Sequence, residues 1–219
     1  MKRDPFLKRN LTFTASYLIM AGRGLFITFE GIDGSGKSTH VKMLCEELRR
    51  RGIDVIETKE PTSGRIGSII REKIEHGSKE RWMEFEALLF AADRFEHVKG
   101  LVEPSLKEGK IVVSDRYIHS SLAYQGGGGL ELDWIKTLNR FAPIPDLVIL
   151  LDVNVETVFK RISGRRKTNF EERFYLEKVR ALYLKFAEEE GLVRIDAERP
   201  LKEVHTEILL EVEKVLETV

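Results

Sequence analysis

The chain has 219 residues, 42% of them hydrophobic, which suits one large domain with a buried core rather than several domains. Lys+Arg and Asp+Glu both number 36, and this balance excludes a global field that would draw in nucleic acid or an anionic membrane. No apolar run approaches the roughly 18 residues needed to span a bilayer, and the single cysteine, Cys45, excludes an intrachain disulfide.

Any basic site must therefore be local. Cys45 falls on the apolar face of a helical repeat, which fits a reducing, cytoplasmic compartment. The histidines (His40, His76, His97, His119, His205) are scattered without metal-ligand spacing, so a zinc site is not expected. At the N-terminus Lys2, Arg3, Lys8 and Arg9 precede Leu11 to Ala21, in the manner of a weak signal peptide, but Thr12, Thr14, Ser16 and Tyr17 dilute the apolar core. Met20 lies just before the first predicted strand, so residues 1–23 read as an extension, genuine or an over-called start, ahead of a single domain over 24–219.

Leu25 to Phe29 is the first strand, and Gly31-Ile32-Asp33-Gly34-Ser35-Gly36-Lys37-Ser38 follows it and opens into a helix-periodic stretch. Glycine, four residues, then Gly-Lys-Ser between a strand and a helix is the phosphate-loop signature. Its glycines let backbone N–H groups close on a polyphosphate while the helix N-terminus adds its positive dipole. Lys37 would reach the β- and γ-phosphates and Ser38 would offer its hydroxyl to Mg²⁺. Thr39 completes the loop's end.

Val41, Leu44, Cys45 and Leu48 carry the helix to Gly52. Ile53 to Glu57 reads as a second strand, and Glu60-Pro61-Thr62-Ser63-Gly64 as the loop at its C-terminal end, where ligands of open α/β sheets bind. Ile66, Ile69, Ile70 and Ile74 mark a short helix stopped at Gly77. A long helix is expected over about 79–101, burying Met83, Leu88, Ala91, Ala92 and Phe95. Ile111 to Ser114 is a strand covered on both faces, ending at Asp115-Arg116-Tyr117. The run Gly126 to Gly129 reads as a flexible loop before a helix over 132–141. Asp146 to Val153 is a buried strand, followed by a helix over 155–162, a basic glycine-broken segment, a helix over 174–190, a fifth strand over 192–195 and a closing helix over 200–215. This alternation predicts a five-stranded parallel sheet with helices on both faces: a three-layer α/β sandwich of the phosphate-loop NTPase type with a short arginine-bearing lid near 161–171.

The phosphate loop alone does not name a reaction. Several further motifs follow it in order: Phe29-Glu30-Gly31 through Gly36-Lys37-Ser38-Thr39, Glu60-Pro61, Leu88-Leu89-Phe90-Ala91-Ala92-Asp93-Arg94, Asp115-Arg116-Tyr117, and Ser120-Ser121 with Ala123-Tyr124-Gln125. In this order and spacing the chain resembles the thymidylate kinases from about Gly24 to its C-terminus. The resemblance implies transfer of the γ-phosphoryl group of ATP to thymidine monophosphate with Mg²⁺, and a homodimer built on the long helices near 79–101 and 132–141.

It also implies residue roles. Phe90 would stack on thymine, Arg94 would donate to the base, and Ser121 would reach another polar edge, with Glu60 and Gln125 also in the acceptor site. Arg116 would grip the monophosphate as a guanidinium fork. Arg71 would help there or be an exposed helical arginine. Tyr124 would close the space beside the sugar's 2′ position. Asp33 would lie between the sugar hydroxyl and the metal, and Asp115 would orient Mg²⁺ through its water shell, while Glu30 would tie the loop down. Because Ile32, Asp33, Gly34 and Ser35 include no arginine, the cation that meets developing charge should be Arg165 or Arg166, with Arg161 at the start of the lid. The lid reads Thr168-Asn169-Phe170-Glu171 where many relatives carry Asp-Arg before Phe-Glu, and Thr62 follows Glu60-Pro61 in place of glycine. The alternatives are a kinase with another acceptor, such as deoxyuridine or uridine monophosphate, and a nucleotide-dependent switch; the latter lacks a guanine-reading Asn-Lys-x-Asp motif here.

Overall fold

The computed structural model describes residues 24–76, 82–162 and 170–218. The expected extension over 1–23 and the lid residues 163–169, with Arg165 and Arg166, lie outside the described residues. Strands β1 (Leu25–Glu30), β2 (Val55–Lys59), β3 (Ile111–Asp115), β4 (Leu147–Asp152) and β5 (Val193–Asp196) form one parallel sheet in the order β2-β3-β1-β4-β5. The connecting helices are α1 (Lys37–Arg50), α2 (Arg65–His76), α3 (Met83–His97), α4 (Glu103–Lys107), α5 (Ile118–Gly127), α6 (Leu132–Leu138), α7 (Val155–Ile162), α8 (Phe170–Glu190) and α9 (Leu201–Thr218), with a π-helical turn over Val98–Val102 joining α3 to α4.

β1 and β3 are buried along their whole length, because helices cover both faces of the sheet. On one face Val41, Leu44 and Leu48 of α1 and Val204, Ile208 and Val212 of α9 pack against Leu25, Ile27, Phe29 and Ile149. On the other, Leu122 of α5 and Val179, Tyr183 and Phe186 of α8 pack with Leu150, while Val98 and Val102 meet Phe26 and Val112. β1 lies between β3 and β4, so the strand order reverses there and the segments leaving β1 and β3 open a crevice at their C-terminal ends.

Three expectations need correction. The second strand begins two residues later than predicted, because Val55 pairs in register with Ile111 and Ile53 serves as a buried plug before the strand. Of the α3 residues expected inside, Ala91 is buried, but Leu88 and Phe95 are each 49% exposed and Ala92 is exposed, while the buried positions also include Glu86, Ala87, Asp93, Arg94 and His97. The inner face of this helix meets a polar site, and periodicity alone cannot say which stripe points inward. Finally, Gly126 and Gly127, expected in a flexible loop, are the last two residues of helix α5, and a Cβ at Gly127 would stand 3.1 Å from Val179 of α8.

Ile149, at the centre of β4, is fully buried and paired with Phe29 and Val193. Ile149→Ala is expected to lower the free energy of unfolding by about 2–5 kcal/mol. Urea denaturation without nucleotide measures this; a loss below about 1 kcal/mol would mean that the sheet core is not close-packed there.

Candidate active site

The loop from Gly31 to Gly36 closes on itself between β1 and α1. Gly31 has φ 139°, and a Cβ there would stand 2.5 Å from the carbonyl oxygen of Leu151, so no other residue fits. Helix α1 starts without a side-chain cap or an acidic residue in its first turn, which leaves its N–H groups turned toward the loop. The Lys37 ammonium is buried in that concavity and donates to the carbonyls of Gly31 and Ile32, each at 2.9 Å, and to Ser35 Oγ at 3.4 Å. Burial, and next the charge of Arg116, lower its amine to about 8, against the opposing pull of Asp33, Asp115 and Glu30.

Ser38 Oγ donates to Asp115 Oδ2, and Asp115 Oδ1 is buried with no hydrogen-bond partner. A hydroxyl and a half-satisfied carboxylate at the mouth of a phosphate loop are the hard oxygen donors that suit Mg²⁺. Among the described residues no group of three His, Cys, Asp or Glu could hold a metal ion.

Beside the loop lies a cavity of about 290 Å³ whose lining includes Asp33, Glu60, Arg71, Phe90, Arg116, Ser121, Tyr124 and Gln125. The structure thus brings together most of the residues expected at the acceptor. Arg116 has φ 74°, unusual for a residue with a side chain, and directs its guanidinium to Ser120 Oγ at 2.9 Å, Asp33 Oδ1 at 2.5 Å and Gly31 O at 3.3 Å, over the Tyr124 ring. Tyr124 Oη accepts from the Asp33 amide at 3.0 Å and donates to Asp33 Oδ2 at 3.2 Å. Desolvation pulls the Asp33 carboxyl upward, but Arg116 and Lys37 outweigh it and hold it below the usual carboxylate value. Its side chain is 68% exposed, so water screens this ion pair and little stability follows from it. Arg71 is folded back on the carbonyls of Pro61 and Thr62 at the cavity's edge. Gln125 is buried, and its Oε1 has no hydrogen-bond partner.

Arg94 is placed differently from the expectation. It is fully buried behind the cavity wall, where Nε donates to Glu60 Oε2 at 2.8 Å, Nη1 to Asn139 Oδ1 at 2.5 Å, and Nη2 to Tyr117 O and Ser121 Oγ, both at 3.1 Å. A desolvated guanidinium must fill its fork with partners, and the protein supplies them here. Glu60 borders the cavity, but its carboxylate holds Arg94 and, at 3.0 Å, His97 Nδ1. Glu30 is wholly buried and ties the next connection, accepting from the Tyr117 amide, Ser120 and Tyr183.

Sequence reasoning missed Asn139, His97 and Asp93 as members of this arrangement. Asp93 clamps the loop after β2 through the Thr62 amide and hydroxyl at 2.8 and 2.6 Å. Phe90, Asp93, Arg94 and His97 share one helical face by spacing alone, so the signal was present for α3, whereas nothing near Asn139 announces it. Arg161, at the end of α7, donates to Gly34 O and Ala197 O and so bridges the phosphate loop to the turn after β5.

The family model described as thymidylate kinase matches residues 29–208. The chain belongs to the thymidylate kinase family. It is 51% identical over 199 residues to a protein named "Probable thymidylate kinase" from Thermococcus onnurineus, covering 86% of this chain and 97% of that relative. A "Probable thymidylate kinase" from Pyrococcus horikoshii is 48% identical over 195 residues (85% and 95%), and a "Thymidylate kinase" from Halothermothrix orenii is 43% identical over 196 residues (85% and 95%). The match to the thymidylate kinase family begins inside β1 and ends inside α9, so it takes in the loop, the cavity and the helix that carries Phe90 and the buried charges.

The state of Lys37 yields a measurable consequence. In the ligand-free protein its amine loses its proton as pH rises through about 8, and phosphate oxygens would restore the charge. Binding of magnesium nucleoside triphosphate at about pH 8.5 should therefore take up a proton, and affinity should fall above that pH. Lys37→Arg, charged throughout, should show neither effect. Calorimetry in buffers of different ionisation enthalpy reads the proton count; a count of zero in the wild type would contradict the depressed value.

Proposed function

We propose that this chain transfers the γ-phosphoryl group of ATP to thymidine monophosphate, giving thymidine diphosphate, with Mg²⁺ as cofactor. The observation that carries the reading is a shared acceptor. Gly31 O receives a hydrogen bond from Lys37 Nζ at 2.9 Å and one from Arg116 Nη1 at 3.3 Å, so the cation of the phosphate loop and the cation of the cavity meet at one point. A donor phosphate on Lys37 and an acceptor phosphate on Arg116 would then face each other in the short space an in-line transfer requires.

In this reading the loop amides and Lys37 hold the donor phosphates, and Arg116 and Arg71 hold the acceptor phosphate. Mg²⁺, on Ser38 directly and on Asp115 through water, would neutralise charge on the transferred group. Asp33 orients the sugar side of the acceptor together with Tyr124. Arg165 or Arg166 would close the site from the lid, and Arg161 anchors the lid's first turn. Phe90 offers its ring to the base. Ser121 accepts from Arg94, so its own proton is free to point into the cavity as a donor, while Gln125 Oε1 offers an acceptor. That pair matches O4 and N3–H of thymine and opposes the reversed pattern of cytosine.

Acceptor choice tests the reading. A missing thymine methyl costs about 1–3 kcal/mol in an apolar pocket, and a ribose hydroxyl buried without a partner costs roughly 1–3 kcal/mol or more. Thymidine monophosphate should lead, deoxyuridine monophosphate follow, and uridine monophosphate trail far behind. Tyr124→Ala should narrow the gap between ribose and deoxyribose. The measurement is kcat/KM for the three acceptors; a wild-type preference for uridine monophosphate, or a ratio untouched by Tyr124→Ala, would overturn this account.

The chain is also proposed to act as a cytoplasmic homodimer. On the outer face of α3, Phe85, Leu88, Ala92 and Phe95 are exposed at a spacing that forms one stripe, continued by Phe141, whose ring meets Phe95 at 5.0 Å, and by Ile144. Cys45 is wholly buried, with its thiol raised to about 12, and needs no oxidising compartment. Light scattering should return twice the chain mass of 25.2 kDa, and Leu88→Glu should return the single mass; a wild type that stays single at micromolar concentration would count against the dimer.

A further inference from the structure

Behind Arg116 lies a group of buried polar side chains that the phosphoryl-transfer reading does not use. Tyr183 of α8 is 1% exposed, and its hydroxyl lies 3.1 Å from Glu30 Oε2 and 2.9 Å from Ser120 Oγ. Glu30, at the end of β1, is 0% exposed; its Oε2 accepts from Ser120 Oγ at 2.7 Å, and its Oε1 accepts from the Tyr117 amide at 2.9 Å. Ser120 Oγ in turn accepts from Arg116 Nη1 at 2.9 Å. With its own proton committed to Glu30, the Ser120 oxygen is left to receive the guanidinium.

The backbone depends on the same carboxylate. Arg116 stands at φ 74°, a conformation that a residue with a Cβ seldom adopts and that its surroundings must hold. The Glu30 bond to the Tyr117 amide holds the residue after it, and Ser114 Oγ, donating to Arg116 O at 2.7 Å, holds the residue itself. Elsewhere α8 meets α5 through apolar packing, through Tyr175 Oη, which donates to Tyr124 O at 2.7 Å, and at its far end through Glu190, 3.0 Å from His119 Nε2. Tyr183 is therefore where the long helix that follows the lid touches the fixed charge next to the acceptor arginine.

We propose that Tyr183, Glu30 and Ser120 are positioning residues that aim Arg116, with Tyr183 acting through the other two. The inference rests on Arg116 as the grip on the acceptor phosphate. Losing one buried hydrogen bond in such a relay is expected to change acceptor KM by about three- to tenfold.

Tyr183→Phe keeps the ring and removes the hydroxyl, and Ser120→Ala removes the direct partner of Arg116. Each should raise KM for thymidine monophosphate by that factor and leave KM for ATP unchanged. In an Arg116→Ala background neither should add anything further, since the residue through which they act is gone. A purely structural role would lower the melting temperature and raise acceptor KM equally in both backgrounds. That result, or an unchanged acceptor KM in both variants, would overturn the proposal. Amide exchange at Tyr117 supplies a readout independent of substrate: it should quicken in Tyr183→Phe, and an unchanged rate would also overturn the relay. Failure of the wild type to phosphorylate thymidine monophosphate would instead overturn the reading of the acceptor.

Discussion

One carbonyl oxygen organises the site. Gly31 O is the acceptor common to Lys37 and Arg116, and it is there because β1 and β3 are neighbours in a parallel sheet. Phe29 pairs with Asp115, and the next amide, that of Arg116, donates to Phe29 O at 2.9 Å as both strands leave the sheet. The first residues beyond each strand are thereby held within hydrogen-bond distance, whatever the loops do afterwards. The electrostatic consequence is a pair of neighbouring cations on one acceptor. Burial, and next the charge of Arg116, depress the Lys37 amine, while Asp33, Asp115 and Glu30 pull it the other way and the same carboxylates Asp33 and Asp115 favour the charge on Arg116. A site already crowded with positive charge gains from any polyanion that enters it, which is the electrostatic preorganisation that phosphoryl transfer needs.

How much of this was legible in the sequence depends on the range of the interaction. The phosphate loop is local: its glycines, lysine and serine are consecutive, and their spacing implies the geometry before any fold is known. The strands were legible because burial on both faces makes them continuous apolar runs, as in Leu147 to Leu151. The two-residue shift of β2 was not, since register is decided by pairing with β3 rather than by composition. Gly127 read as loop for a similar reason; its small size is demanded by Val179, far along the chain.

The cavity was half legible. Phe90 and Arg94 were placed on one helical face, and they are, but depth along that face was invisible. Phe90 borders the cavity while Arg94 lies wholly beneath it, fixed by Glu60 from the end of β2 and Asn139 from the end of α6. Those partners are tens of residues away, and an asparagine just past a short helix looks like an ordinary helix end. Tyr183 was hidden by its own context. Among Val179, Leu182 and Phe186 it passes for one more core aromatic, and only the three-dimensional meeting with Glu30 gives its hydroxyl a purpose.

Helix α3 poses the sharpest physical question, because its two faces are arranged against simple hydrophobic burial. Turning it about its axis would bury Phe85, Leu88 and Phe95 and return Asp93, Arg94 and His97 to water. What opposes this is the completeness of the inner network. Asp93 holds the Thr62 loop, and Arg94 and His97 both hold Glu60, so each of these buried polar groups has its partners. Removing one partner of a satisfied buried pair typically costs about 3–5 kcal/mol, and rotation would break all of these at once. The outer stripe is left exposed among the described residues, and a second copy would remove it from water in the proposed dimer. On that reading dimerisation and acceptor recognition are properties of opposite faces of one helix: the partner covers the side that the charges cannot use, and the charges hold in place the side on which Phe90 meets the cavity.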